Sequence, residues 1–239
     1  MTTAYLLHRC KRFLMKCRRG VYGFRRIVPG LSERHKLEAM VGPLGFWDAL
    51  QAYQLNVLVQ HGLQSHHSLL DIGCGPLQGG LAFIDYLDCG KYVGIDANAE
   101  NLASAHILVG KHSLAHKNPA IIHSSCFGKT ELDGRTFDYI WASQVLYYFD
   151  NIKMRDLMEC IAQRLHDSGT FLGDIVGPRH YECRYPGEGY VIHDIQSLAD
   201  LARQHGLSLV DHGEIEQYHY PSRLSHRSNH LIALRRIAQ

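Results

Sequence analysis

Several things are missing from this 239-residue chain, and each absence removes a class of protein. Its seven cysteines are scattered with no C-x-x-C spacing, so neither a disulfide framework nor a zinc ribbon is indicated, and a reducing cytoplasm is the simplest home. No apolar run approaches the roughly 18 residues that a membrane-spanning helix needs, so no transmembrane segment is expected. His-Glu-x-x-His does not occur. Of the 17 histidines, the pairs that share a helical face (His112 with His116, and His226 with His230) lack a third ligand at metal spacing, so no metal is expected. A net charge of +2 argues against a polyelectrolyte partner for the chain as a whole. Internal repeats and low-complexity tracts are also missing.

Acidic residues are absent before Glu33, and there the charge is lopsided. Lys11, Arg12, Lys16, Arg18, Arg19, Arg25 and Arg26 are interleaved with Leu6, Leu7, Phe13, Leu14 and Met15. Three readings remain open for this basic amphipathic stretch: contact with a membrane surface or nucleic acid, a transit peptide, or a solvated lead-in helix. Pro29-Gly30 ends it. The chain therefore divides into a basic segment (1–30), a helical cap (31–62) and a main domain (63–239), a size that suits one α/β unit.

What is present in the main domain is an alternation of strand and helix patterns. Strands are expected at Ser68 to Ile72, Tyr92 to Asp96, Ala120 to Ser124, Phe137 to Ala142, Thr170 to Val176, Leu207 to Ile215 and His230 to Ile237. Helices are expected at Ser32 to Met40, Phe46 to His61, Gly79 to Leu87, Ala99 to His116, Asn151 to Asp167 and Asp194 to His205, with Gly62 as a C-cap. This is an α/β pattern: a doubly wound, seven-stranded Rossmann-like sheet, mostly parallel with an antiparallel C-terminal edge strand, plus N-terminal helices.

The most telling segment is Leu69-Leu70-Asp71-Ile72-Gly73-Cys74-Gly75, followed about twenty residues later by Tyr92-Val93-Gly94-Ile95-Asp96. Each half is an apolar run ending near a carboxylate, which fits a buried parallel strand, a loop over a nucleotide, a helix and a second strand that offers an acid to a ribose. A dinucleotide fingerprint would place its third glycine at Gln78, but glycines follow only at Gly79 and Gly80, and Pro76 stiffens the loop. Asp71 would also repel a diphosphate and welcome an ammonium. A cofactor with a cationic amino acid at one end and a ribose at the other suits both acids, and S-adenosylmethionine is such a molecule.

These residues resemble the cofactor-binding half of class I S-adenosylmethionine-dependent methyltransferases, over about Phe46 to Val176 and in outline to the C-terminus. The acidic-x-Gly-x-Gly-x-Gly pattern of that family is matched at Asp71, Gly73 and Gly75, with Leu77 in place of its last glycine. The resemblance implies that Asp71, Gly73, Cys74 and Gly75 meet the amino-acid end of the cofactor. It places Asp96, Ala97 and Asn98 at the ribose, and Ser125 and Cys126 at the adenine. Phe137 to Tyr148 is similar to the fourth-strand motif, which sets Ser143 and Gln144 beside the methionine portion and Tyr147 and Tyr148 toward the methyl acceptor. Asp138 is expected to tether neighbouring backbone. The motif has neither the Asn/Asp-Pro-Pro-Tyr of exocyclic-amine nucleobase enzymes nor a Pro-Cys nucleophile.

The stretch from Gly177 to His193 is long for a strand-to-helix link, which marks it as a binding loop. His180 and His193 are candidate bases within it, with Tyr147 as a third catalytic candidate. Tyr147, Tyr148, His180, Tyr190 and His193 are expected to line the acceptor pocket, and Tyr218-His219-Tyr220 is a second candidate wall. The expected activity is methyl transfer to an O or N atom of a small molecule. Alternatives are an RNA or protein methyltransferase guided by the basic N-terminus, and a non-catalytic S-adenosylmethionine-binding partner subunit.

Overall fold

The computed structural model describes residues 32–41, 44–132, 134–176, 191–221 and 229–238. The basic segment, His180, Tyr190 and most of the 177–193 loop lie outside the described residues.

Short apolar runs form the centre of the sheet because both their faces are covered. All four residues of β1 (Leu69–Ile72) are buried, as are four of the five in β2 (Tyr92–Asp96). These pair in parallel with Asp71 opposite Gly94, and on its other side β1 pairs in parallel with β4 (Phe137–Ala142), where Asp71 faces Trp141. β3 (Ala120–His123) flanks β2, and β5 (Leu165–Val176) flanks β4. With β6 (Leu207–Glu214) and β7 (Asn229–Arg236) the seven-stranded order is β3-β2-β1-β4-β5-β7-β6. β7 runs antiparallel to both its neighbours, as expected for the C-terminal strand. It lies between β5 and β6, so β6 is the outermost strand on that side.

Among the described residues, five α-helices make up the bulk of the two faces. One hydrophobic cluster joins α2 (Trp47–Gln60), α3 (Gly80–Tyr86) and α4 (Ala99–Lys111) to Leu69, Trp141, Leu172 and Leu231. The other joins α5 (Asn151–Arg164) and α6 (Ile195–Gln204) to Leu70, Ile72, Ile140, Phe171 and Ile232. Each large apolar side chain so enclosed contributes roughly 1.5–3 kcal/mol by removal from water. α1 (Glu33–Val41) packs Leu37 and Val41 against the first cluster. The starts of α4, α5 and α6 are capped by side chains: Asn98 accepts from Glu100 N, Asp150 from Lys153 N and Asp194 from Ser197 N.

Two expected boundaries move. α4 stops at Lys111 rather than His116, because Ser113 turns to φ +58° and a separate 3₁₀ turn, Ala115–Lys117, follows. Regular β5 pairing resumes at Thr170, the expected start, but the strand begins at Leu165, with an irregular register between the Leu165 and Thr170 pairs. Asp138 tethers the edges of this region as expected. It accepts from Ser68 N and Ser68 Oγ, both at 2.8 Å, and lies 3.1 Å from His166 Nδ1. Burial opposes its ionisation, yet those hydrogen bonds and the His166 charge hold its carboxyl below the usual carboxylate range.

Candidate functional site

Strand order reverses between β1 and β4, so the crevice for a ligand opens beyond their carboxyl ends. The loop after β1 is shaped for close approach. Gly73 and Gly75 take φ +75° and +54°, and the Gly73 and Cys74 amides both donate to Ile95 O, at 2.8 and 3.1 Å. A Cβ at Gly73 would stand 2.9 Å from Val145 Cγ2, so only glycine fits beneath the loop that follows β4. Leu77, where the resemblance implies a glycine, keeps glycine-like geometry at φ +66° while its side chain is fully buried. Tertiary burial has overridden the local preference at that position.

Asp96 stands at the end of β2, half-buried beside this loop. Its Oδ2 accepts from Gly75 N at 2.9 Å, and its Oδ1 accepts from Asn98 N at 2.7 Å. The helix cap is Asn98, which leaves Asp96 oriented to the crevice by backbone amides. Ala97 and Asn98 are exposed, and the Ala97 carbonyl lies 3.0 Å from His123 Nε2. Ser125 and Cys126 are exposed just past β3, while the buried Ser124 hydroxyl shapes their turn by accepting from Cys126 N and Gly128 N.

Asp71 and Cys74 point into the core beneath the glycine loop. Asp71 is 4% exposed and accepts from the Tyr92 hydroxyl at 2.8 Å. Burial raises its carboxyl to about 7, with the Tyr92 hydrogen bond opposing and the Asp96 charge adding. Burial likewise pushes the Cys74 thiol well above its ordinary value, leaving it a packed side chain.

Beyond β4, Gln144 adopts φ +57°, and Asp174 holds it there. Asp174 Oδ1 accepts from Gln144 N at 2.8 Å, and its Oδ2 accepts from Gln144 Nε2. Asp174 is 0% exposed, and burial raises its carboxyl to about 6, while the hydrogen bonds from Gln144 pull the other way. The Tyr220 hydroxyl donates to Gln144 Oε1 at 3.4 Å, and the Tyr53 ring meets Tyr220 edge-on at 5.0 Å. Of the run Tyr218-His219-Tyr220, it is Tyr220 that contacts Gln144. Asp174 and Tyr53 were hidden in the sequence. One is a lone acid inside the apolar run of β5, and the other sits on the apolar stripe of α2.

Tyr147 and Tyr148 occupy the 3₁₀ turn Leu146–Tyr148, their ring centroids 4.5 Å apart, with Tyr148 about half exposed. The Tyr147 carbonyl accepts from Val191 N at 2.7 Å, which pins the end of the long loop here. His193 is 5% exposed with Nε2 3.3 Å from the Leu146 carbonyl, and burial holds its imidazole below its usual range. In this arrangement its ring braces the turn that carries Tyr147. Among the described residues no group of three or more His, Cys, Asp or Glu is placed to hold a metal ion. Among the same residues no helix is long and apolar enough to cross a membrane.

A reversal-point crevice, a glycine loop and an acid at the end of β2 define a Rossmann-like protein that binds a nucleoside-bearing cofactor. Residues 70–171 match the family described as a methyltransferase domain. Similar solved structures include an S-adenosylmethionine-dependent methyltransferase from Clostridium acetobutylicum, 13% identical with TM-score 0.60, covering 81% of this chain and 92% of that one. The CcbJ methyltransferase from Streptomyces caelestis is 14% identical with TM-score 0.62, covering 82% and 92%. Magnesium protoporphyrin IX methyltransferase from Synechocystis, with bound SAH, is 14% identical with TM-score 0.60, covering 90% and 93%. At these identities the likeness is one of fold. No curated protein sequence matches the chain. Residues 70–171 thus match a methyltransferase domain, on a fold shared with S-adenosylmethionine-dependent methyltransferases.

Proposed function

We propose that the methyl acceptor is a small molecule, methylated on oxygen or nitrogen. The observation that supports this is the burial of the groups that hold Gln144. Asp174 and Tyr220, which hold Gln144 from either side, are 0% and 7% exposed beneath α2, a depth that suits a compact molecule rather than a folded polymer.

The residues present fit the cofactor. Gly73, Cys74 and Gly75 approach the ligand by backbone, with a loop in which added Cβ atoms would collide. Asp96 offers two carboxylate oxygens to the ribose, with Ala97 and Asn98 alongside. Asp71 supports the amino-acid end from below, Ser125 and Cys126 border the adenine, and Ser143 and Gln144 border the methionine portion. When bound, S-adenosylmethionine supplies an activated methyl group. The protein's task is then to align the acceptor and exclude water, which Tyr147, Tyr148 and the pinned end of the 177–193 loop serve. His180 stays a candidate base, whereas the buried, backbone-facing His193 is assigned to positioning. The segment boundaries at 30 and 62 and a cytoplasmic location belong to the same reading.

The test uses methyl-labelled S-adenosylmethionine with cell extract separated into metabolite, RNA and protein fractions. Label should enter the metabolite fraction and be lost with Asp96→Ala. Label confined to RNA or protein overturns the small-molecule reading.

A further inference from the structure

Two buried polar groups on the face of the sheet that holds Asp174 have no hydrogen-bond partner among the described residues. Among the described residues, the Tyr53 hydroxyl and Asn229 Oδ1 are buried with no hydrogen-bond partner, on residues each 2% exposed. Leaving such a group unpaired costs about 1–3 kcal/mol, so each of them points to a missing partner. They lie on one face of the sheet with Asp174. Leu231 pairs with Asp174 and Asn229 with Val176 across the antiparallel β5–β7 ladder, where facing residues project to the same side. Tyr53 reaches this face from α2, and Asp174 is the charge that most affects it.

The chemistry of the set is one-sided. Asp174 and Asn229 Oδ1 accept hydrogen bonds, and Tyr53 accepts or donates one. Among the described residues no Lys, Arg or His is paired with Asp174; its bonds come from Gln144, with Ser143 beside it. A buried carboxylate without a countercharge is held at an energetic cost, which a cationic group brought by a ligand would offset.

Resting on the small-molecule reading above, we infer that Asp174, Tyr53 and Asn229 form the acceptor-recognition site and that they select a substrate bearing an amine. Its N–H groups meet the oxygens of Asp174 and Asn229 and the Tyr53 hydroxyl, and the Tyr53 and Tyr220 rings flank its carbon skeleton. Gln144 is a positioning residue here: its amide fixes the Asp174 carboxylate, and the Tyr220 hydroxyl fixes the amide.

The experiment is calorimetric binding to the full chain in the presence of S-adenosylhomocysteine. The probes are a set of aryl and alkyl amines, each paired with the alcohol of the same skeleton. At least one amine should bind about ten-fold or more tightly than its alcohol, and Asp174→Asn should erase that preference. Tyr53→Phe removes only the unpartnered hydroxyl. It should leave stability equal or higher while weakening amine binding about three-fold or more, a change that a purely structural tyrosine would not produce. The inference is overturned if no amine outbinds its alcohol, or if both variants bind amines as wild type does. Affinity for S-adenosylhomocysteine, measured in the same titrations, reports separately on the donor half. Its retention alongside a lost amine preference isolates the acceptor site.

Discussion

The side chain of Leu77 fills the space that a Cβ on residue 80 would need: its Cδ2 lies 2.5 Å from that position, and the Tyr92 hydroxyl lies 2.6 Å from it. A leucine in left-handed geometry and a glycine three residues later are thus one packing solution. Gly80→Ala should destabilise the protein by about 1–3 kcal/mol through overpacking, despite alanine's better helix propensity. Adding Leu77→Gly should recover part of that loss, giving a non-additive double-mutant cycle in denaturant unfolding. Simple additivity would show that the two positions do not share this space.

Asp71 should leave a mark on the pH dependence of the ligand-free protein. Its folded carboxyl, raised to about 7 chiefly by burial, holds a proton that the unfolded chain gives up near 3.8. Between those values the folded state binds more protons, so this group's contribution to stability falls as pH rises from about 4 to about 7. Asp71→Asn removes the effect. The melting temperature of the variant minus that of wild type should therefore be larger at pH 8 than at pH 5, and a difference that does not vary with pH would refute the assignment.

Asp138 supplies a contrast. Asp138→Ala leaves Ser68 N and Ser68 Oγ without their acceptor and frees His166, which should cost about 1–3 kcal/mol of stability. Calorimetric affinity for S-adenosylhomocysteine should stay unchanged, because this tether lies at the start of β4 and not at its carboxyl end. A marked loss of affinity would contradict that separation.

Glu38 links the cap to the cofactor loop. It is 3% exposed, accepts from Gly45 N at 2.8 Å and Trp47 N at 3.4 Å, and so fixes the connection between α1 and α2. At the end of α1, Val41 Cγ1 lies 3.1 Å from where a Cβ at Gly75 would stand. Glu38→Ala should weaken S-adenosylhomocysteine binding about three-fold or more by unseating Val41, beyond its effect on stability. Unchanged affinity in a stably folded variant would exclude α1 from the donor site.

The sheet was legible because β1, β2 and β4 are apolar on both faces, a pattern that few other structures produce. The loop between β1 and α3 was legible through Gly73, Gly75 and the two acids that bracket it. Where reading failed, the relevant physics was tertiary. Tyr53 looks like one more apolar position on α2, since nothing local shows that its hydroxyl lacks a partner. Asp174 interrupts the apolar run Phe171-Leu172-Gly173-Asp174-Ile175-Val176, and a lone acid within a buried strand was the available signal. Asp71 suited an exposed ammonium by charge alone, but alternation along β1 turns it toward Tyr92 and the core.

The insertion of β7 between β5 and β6 sets an order of assembly. β3, β2, β1 and β4 can pair as soon as each is synthesised, and they carry the glycine loop and Asp96. β5 gains its second neighbour only when residues 229–236 have emerged, so until then it is an open strand edge prone to wrong pairing. In that order the glycine loop and Asp96 can be in place before the strand pair that carries Asp174 and Asn229 closes.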